Sequence, residues 1–144
     1  MQDPKEAAYY QNDLFAVETT GIKTVWAGDN SAVCSLELRR EHYNARGSVM
    51  GGVLFTLADF TFTLAANVGS DVRTVSLNAD ISFLCAPKGN MLTAEAKCLK
   101  DGRATCTYTV DVTDAEGRLA AHACITGYKL TQPSEKETAK EYKG

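Results

Sequence analysis

The stretch "GSVMGGVLFTLADFTFTLAAN", residues 47–67, decides the fold of this chain. From Gly52 to Asn67 it has no proline and no internal glycine, and apolar residues occur all round a helix drawn through it. Such a helix has to be buried on most of its sides. The other predicted elements are strands, so the stretch predicts one central helix wrapped by a sheet.

The composition indicates an ordinary globular protein. Of the 144 residues, 44% are hydrophobic and 23% are charged, and the net charge of −3 gives no electrostatic footprint for nucleic acid or an anionic membrane. The length predicts one domain over residues 1–131, with a helical segment in residues 1–20, followed by a polar and flexible tail over 132–144. No signal peptide or membrane-length apolar run is present, which favours the cytoplasm.

The rest of the chain predicts an antiparallel meander and therefore an α+β fold. Apolar and polar residues alternate in several segments, as half-buried strands require. Turns are predicted at 28–30, at Asp101-Gly102 and at Glu116-Gly117, and a short helix is predicted over residues 3–15 with Asp3 as its N-cap. The predicted strands are "GIKTVWAGDN" (21–30), "SAVCSLEL" (31–38), "VSLNADISF" (75–83), "LTAEAKCLK" (92–100), "RATCTYTVDVT" (103–113) and "RLAAHACITGYKL" (118–130).

The polar residues of the central helix form a stripe. At 100° per residue, Thr56, Asp59, Thr63 and Asn67 fall within an arc of about 80°. The stripe could face solvent or a wet subunit contact, with Thr63 hydrogen-bonding to Asp59 across one turn. Alternatively it lines a cleft that holds Asp59 partly desolvated, so that the carboxylate attacks or deprotonates water. Periodicity alone leaves both interpretations open.

The pair Gly51-Gly52 precedes this helix. Backbone N–H groups in the first turn of a helix have no partner inside the helix, and the helix dipole adds positive potential there. Glycines let a substrate carbonyl approach those groups, which would give an oxyanion site. A tight turn before the helix is the alternative interpretation.

The order "HYNARGSVMGGVLFTLADFTFTLAANVG", residues 42–69, resembles the signature of hotdog-fold acyl-CoA thioesterases. Within that family it is most similar to the branch of the phenylacetate-pathway and 4-hydroxybenzoyl-CoA enzymes, and the similarity covers roughly residues 30 to 130. The resemblance implies a long helix wrapped by a curved antiparallel sheet. It also implies an acyl-CoA substrate, no cofactor other than the CoA of that substrate, and a homotetramer of paired dimers with active sites between subunits.

The resemblance also assigns roles to residues. Asp59 would be the general base or nucleophile of thioester hydrolysis, and the N–H of Gly51 would bind the thioester oxygen. Asn44 would orient water or the carboxylate. The supporting positions are Thr63 one turn beyond the acid, Ser76 on a strand to place substrate or water, Gly52 for close approach of the substrate, and Lys100 and Arg103 near the CoA phosphates.

The chain departs from the family at Met50, where the family commonly has histidine, and Met50 is expected to pack against the helix. A hydroxyacyl-thioester dehydratase of the same fold would need an acid at Leu57 and a histidine at Tyr43, and this chain has neither. A non-catalytic acyl-CoA-binding module is the other alternative, which the loss of the histidine keeps open. The two histidines and five cysteines suggest no metal site, because no ligand spacing joins them.

Overall fold

The computed structural model of the chain describes residues 8–130. One long helix, α1 (Gly51–Asn67), lies against a six-stranded antiparallel sheet in the order β1-β2-β4-β5-β6-β3. This is the predicted α+β architecture. Within residues 8–130 no helix combines the length and apolar character needed to cross a membrane. The strands are β1 (Lys23–Gly28), β2 (Ser31–Glu37), β3 (Thr74–Phe83), β4 (Met91–Asp101), β5 (Thr105–Thr113) and β6 (Leu119–Lys129).

The core lies between α1 and the concave face of the sheet. Leu57, Phe62 and Leu64 of the helix are fully buried, and they face the inward residues of the four strands β2, β4, β5 and β6. Phe62 packs edge-on against Tyr108 of β5, with 5.4 Å between ring centroids. Cys34 and Cys106 are core residues as expected, whereas Cys85, Cys98 and Cys124 are only half-buried.

The described N-terminal segment is irregular. Ala8 and Tyr9 are helical, a 3-10 turn (Tyr10–Asn12) follows, and a π-helix (Phe15–Thr20) comes after it. The short helix predicted over residues 3–15 therefore does not continue as a regular helix beyond Tyr9, and its residues 3–7 lie outside the described range. The predicted N-cap Asp3 and the predicted tail at 132–144 lie outside the described residues. The Arg73 guanidinium donates to the hydroxyl of Tyr10 at 3.0 Å, which holds the 3-10 turn on the body of the fold.

His42 fixes the other end of this segment. Its ring is buried, Nδ1 accepts the N–H of Arg39 at 2.9 Å, and Nε2 lies 2.7 Å from the carbonyl oxygen of Thr20. A ring that accepts at Nδ1 and donates at Nε2 is the neutral Nε2–H tautomer. His42 therefore ties the end of the π-helix to the loop that leads into α1.

The turns follow the predictions closely, with one exception. Asp29 and Asn30 both have positive φ, 49° and 58°, as a tight hairpin turn between β1 and β2 requires. The connection between β5 and β6 covers residues 114–118, around the predicted Glu116-Gly117 turn. The β4–β5 turn covers residues 102–104 instead of Asp101-Gly102, because Asp101 still pairs with Cys106.

Strand β3 forms one edge of the sheet and contains a bulge between Ser76 and Asn78. The predicted alternation put Ser76 on the face opposite Ala79, which is wrong. Ser76 pairs with Gly127 and Ala79 pairs with Ile125, both of them inward-facing positions of β6, so the extra residue brings Ser76 to the helix side as well. Gly127 has to be glycine, since a Cβ there would lie 2.7 Å from Sγ of Cys106.

The loop after β3 is fastened by a buried carboxylate, Asp114. It accepts the backbone N–H groups of Lys88, Glu116 and Arg118 at 2.9–3.0 Å, and Nε of Arg118 at 3.0 Å. Arg118 also donates to the carbonyl of Ala86 at 2.8 Å. These hydrogen bonds, led by that from Lys88, lower the pKa of Asp114 to about 2.

We predict that Asp114→Asn lowers the melting temperature at neutral pH, because an amide NH2 cannot accept the bonds that one carboxylate oxygen accepts. The folded pKa of Asp114 is below its ordinary value of 3.8, so the stabilisation is complete above 3.8 and is lost as the pH falls through about 2. The difference in melting temperature between wild type and variant should therefore become smaller in acid. Calorimetry across that pH range measures the two melting temperatures, and Glu116→Gln, an exposed change in the same turn, is the control. A difference in melting temperature that does not change with pH would contradict the stabilising role of the Asp114 carboxylate.

Candidate active site

Asp59 lies halfway along α1 and is half-buried at the wall of an open cleft of about 460 Å³. Thr56 and Thr63 of the predicted stripe line the same cleft. The other lining residues are Asp13, Leu14, Phe15, Ala16, Phe55 and Phe60, so apart from Asp13 the walls around the acid are mainly apolar. The first three members of the stripe therefore line one cleft.

Ser76 is the partner of the Asp59 carboxylate. Burial raises the pKa of Asp59, and a hydrogen bond with the side chain of Ser76 opposes that rise. The β3 bulge makes this contact possible, because strict alternation would turn Ser76 away from the helix. A partly desolvated carboxylate held by one hydroxyl is suited to act as a base or nucleophile.

Asn67, the last member of the stripe, is structural. Its side-chain NH2 donates to the carbonyls of Thr63 at 2.8 Å and Thr74 at 3.0 Å, and its Oδ1 accepts the N–H of Thr74 at 2.8 Å. The buried amide thus joins the end of α1 to the start of β3, two residues before Ser76. It positions the strand that carries the partner of Asp59.

The hydroxyls of the stripe satisfy the helix backbone. Thr56 donates to the carbonyl of Gly52 at 2.8 Å, and Thr63 donates to the backbone carbonyl of Asp59 at 3.0 Å. Thr63 thus bonds the main chain of Asp59 in this structure, not its carboxylate. Thr63 still lines the cleft beside the acid.

Gly51 is the first residue of α1 and lines a second cleft, of about 360 Å³, with Leu54, Phe83 and Leu84. A Cβ at Gly51 would lie 3.0 Å from the ring of Phe83, so a side chain here would crowd that wall. Gly52 is exposed beside it. Gly51 and Asp59 of one chain are eight residues apart on the helix, about 12 Å along its axis, and line different clefts.

Asn44 lies in the loop before α1, where it is exposed and bonds its own turn. Its Oδ1 accepts the N–H groups of Arg46 at 3.0 Å and Ser48 at 3.1 Å. It lines neither the cleft of Asp59 nor that of Gly51 in its own chain. Met50 is 56% exposed, and its Cε lies at the first turn of α1, 3.9 Å from the position that a Cβ would take at Gly52.

Lys100 and Arg103 do not line either cleft. Lys100 pairs with Thr107 at the end of β4, and Arg103 lies in the β4–β5 turn. His122 is on β6, with its Nδ1 2.6 Å from Oδ1 of Asp111. Over residues 8–130 no group of three or more metal-ligating side chains is positioned to share an ion.

Sequence reasoning missed Asp13, Leu14 and Phe15 as cleft residues. They come from the junction of the 3-10 turn and the π-helix, and Phe15 is 65% exposed at the mouth of the cleft. In the sequence, the only sign of these cleft residues is the apolar pair Leu14-Phe15 directly after Asp13. That segment is predicted as a regular helix. A π-helical turn has no pattern that would have placed these side chains.

Comparison with known proteins gives consistent matches. The sequence model of the thioesterase superfamily matches residues 46–121. A putative esterase of Archaeoglobus fulgidus is 30% identical over 129 residues, 89% of this chain and 82% of that protein. The acyl-coenzyme A thioesterase PaaI of Escherichia coli is 30% identical over 115 residues, 79% of this chain and 81% of that protein. A hypothetical thioesterase of Streptococcus pneumoniae, crystallised with coenzyme A, superimposes with a TM-score of 0.75 at 28% identity, covering 92% of this chain and 100% of that one. Together they confirm the predicted hotdog fold.

We predict that Ser76→Ala raises the pKa of Asp59 further, because the lost hydroxyl bond favours the ionised form. NMR titration of the Asp59 carboxyl carbon measures this directly. Thr63→Val is the matched control: its hydroxyl bonds the backbone, so the Asp59 titration should stay where it is in the wild type. Equal titration curves for wild type and Ser76→Ala would contradict the pairing.

Proposed function

We propose that this chain, which belongs to the thioesterase superfamily and is a thioester hydrolase, cleaves acyl-CoA to a free acid and CoA, with Asp59 as general base or nucleophile. The observation that carries the proposal is a half-buried carboxylate, bonded to one hydroxyl, in a cleft with mainly apolar walls. Desolvation keeps such an acid reactive, and a thioester carbonyl needs an attacking oxygen next to it.

Each reaction step has a candidate group. Water activated by Asp59, or the carboxylate itself, adds to the thioester carbonyl, and the C–S bond then breaks to release CoA as its thiol. If Asp59 attacks, water hydrolyses the resulting anhydride. The N–H of Gly51, unpaired within its helix, is the proposed donor to the oxyanion, with Gly52 leaving room for the substrate. Ser76 holds the carboxylate, and Thr63 lines the cleft beside it. No cofactor is needed, because CoA is the leaving group.

The site is proposed to form between two chains. A donor and an attacking group must both lie about 3 Å from one carbonyl group. Gly51 and Asp59 of the same helix are too far apart for that, so Gly51 and Asn44 would act with Asp59 and Ser76 of a second copy. Edge strand β3 supports such pairing: Val75, Leu77, Phe83 and the adjacent Leu84 are each at least 44% exposed.

Further assignments follow from the same proposal. The assembly is proposed to be a homotetramer of such dimers, and Lys100 and Arg103 are proposed to bind the CoA phosphates from the β4–β5 end of the sheet. The cytoplasm is the proposed location, in keeping with five free cysteines. Sedimentation that detects only a species of monomer mass would contradict the oligomer.

We predict that Asp59→Asn lowers kcat by at least ~10²-fold in a thiol-release assay over a panel of acyl-CoA esters, the lower range for loss of a positioned acid–base group. The melting temperature should hold or rise, because an amide costs less to bury than a charge. Asp80→Asn, on the exposed face of β3, is the control. A folded Asp59→Asn protein with wild-type turnover would remove Asp59 from the mechanism.

The shared site predicts complementation. Gly51→Pro removes the N–H at the first helical position, where the helix backbone tolerates proline although the ring of Phe83 has to shift to admit it. It should inactivate the enzyme like Asp59→Asn. In a twofold dimer of one chain of each kind, one site carries both changes and the other carries neither. Co-expression of the two variants should therefore restore roughly a quarter of wild-type activity. If both groups acted within one chain, the mixture would stay inactive.

A further inference from the structure

The cleft beside Asp59 contains a second acid, Asp13, and no cation. Of its nine lining residues, two are aspartates and none is lysine, arginine or histidine. Asp13 is held at the start of the π-helical segment by its backbone: its N–H donates to Tyr10 at 3.1 Å and its carbonyl accepts the N–H of Val17 at 2.9 Å. The backbone of Asp13 is therefore held in place where this residue lines the cleft.

The two acids interact through the cleft. Partial desolvation raises the pKa of Asp13, and the charge of Asp59 raises it further. That coupling agrees with their common place in the cleft wall. An added negative charge between them would meet repulsion from both sides and would find no counter-charge among the lining residues.

Apart from Thr56 and Thr63, the rest of the wall is apolar. Leu14, Phe15 and Phe55 are 55%, 65% and 40% exposed and line the opening around the two acids. The volume of about 460 Å³ is in the range of small-molecule sites. Such walls favour an apolar group, and this cleft suits the acyl chain better than the phosphates of CoA, which need cations.

We infer that Asp13 is a specificity-determining residue that excludes acyl groups ending in a carboxylate, so that the enzyme takes thioesters of uncharged, apolar acids. This inference rests on the proposed function, because Asp59 at the thioester is what directs the acyl chain into this cleft. Like charges without a counter-ion are an efficient means of rejecting a ligand.

The test measures binding and turnover separately. Calorimetry gives Kd for two non-hydrolysable thioethers, S-alkyl-CoA and S-(ω-carboxyalkyl)-CoA of equal chain length, at a pH well above the ordinary pKa of aspartate. Wild type should prefer the uncharged ligand by at least about tenfold, and Asp13→Asn should remove most of that preference without changing Kd for the uncharged ligand. Asp13→Lys should reverse the preference.

Glu18→Gln is the matched control. Glu18 is an exposed acid in the π-helix that follows Asp13, and it does not line the cleft. It should keep the wild-type preference. Equal preference in Asp13→Asn and wild type, or no preference in wild type, would overturn the role of Asp13. Thiol release from the corresponding thioesters is measured in parallel: lack of hydrolysis with intact charge discrimination would overturn the proposed reaction and leave the role of Asp13 standing.

Discussion

The structure depends on one constraint: a helix that is apolar on nearly every side has to be covered, yet it carries a carboxylate. The sheet covers α1 on the sides of Leu57, Phe62 and Leu64, each worth about 2 kcal/mol or more of burial. The uncovered strip is the one that holds Thr56, Asp59 and Thr63. Burial of the helix therefore also removes much of the water around the acid, and the same packing that stabilises the fold raises the pKa of Asp59.

Two local devices bring β3 to that acid. The Asn67 amide bonds both backbone groups of Thr74, and the bulge after Ser76 then turns the serine toward the helix while Ala79 and Ile81 keep their places over the core. Neither device works alone. Without the amide the strand would have no fixed start, and without the bulge its hydroxyl would face outward.

Much of this could be predicted from the sequence, because it follows from periodicity and turn chemistry. The run after Gly51-Gly52 predicted the helix, and the order Gly28-Asp29-Asn30 predicted the tight turn in which Asp29 and Asn30 have positive φ. The polar stripe was predicted. Its division into three cleft residues and one structural residue, Asn67, was not, because that division depends on the position of β3. The bulge was missed because a strict alternation of side chains between the two faces of a strand has no place for an extra residue. One extra residue reverses the faces of all the residues on one side of it. The cleft wall at 13–16 was missed because π-helical geometry has no sequence period of its own.

The exposure of Met50 and the local bonds of Asn44 were also missed, for a shared reason. Both lie in a loop, where side-chain direction depends on the neighbouring backbone and not on a repeat. The resemblance to the family assigned them roles in the site. It could not say on which side of the helix, or in which copy of the chain, those roles are played.

The amide clasp between Asn67 and Thr74 has a consequence for local unfolding. An edge strand frays from the end where opening breaks the fewest buried hydrogen bonds. At Thr74 fraying would leave a buried amide with unmet donors and acceptors. Beyond Phe83, the N–H of Leu84 donates to Ala120 and Arg118 donates to Ala86, which hold the other end. Fraying of the edge strand is therefore opposed at both ends, and Ser76 stays next to the amide clasp as the partner of Asp59.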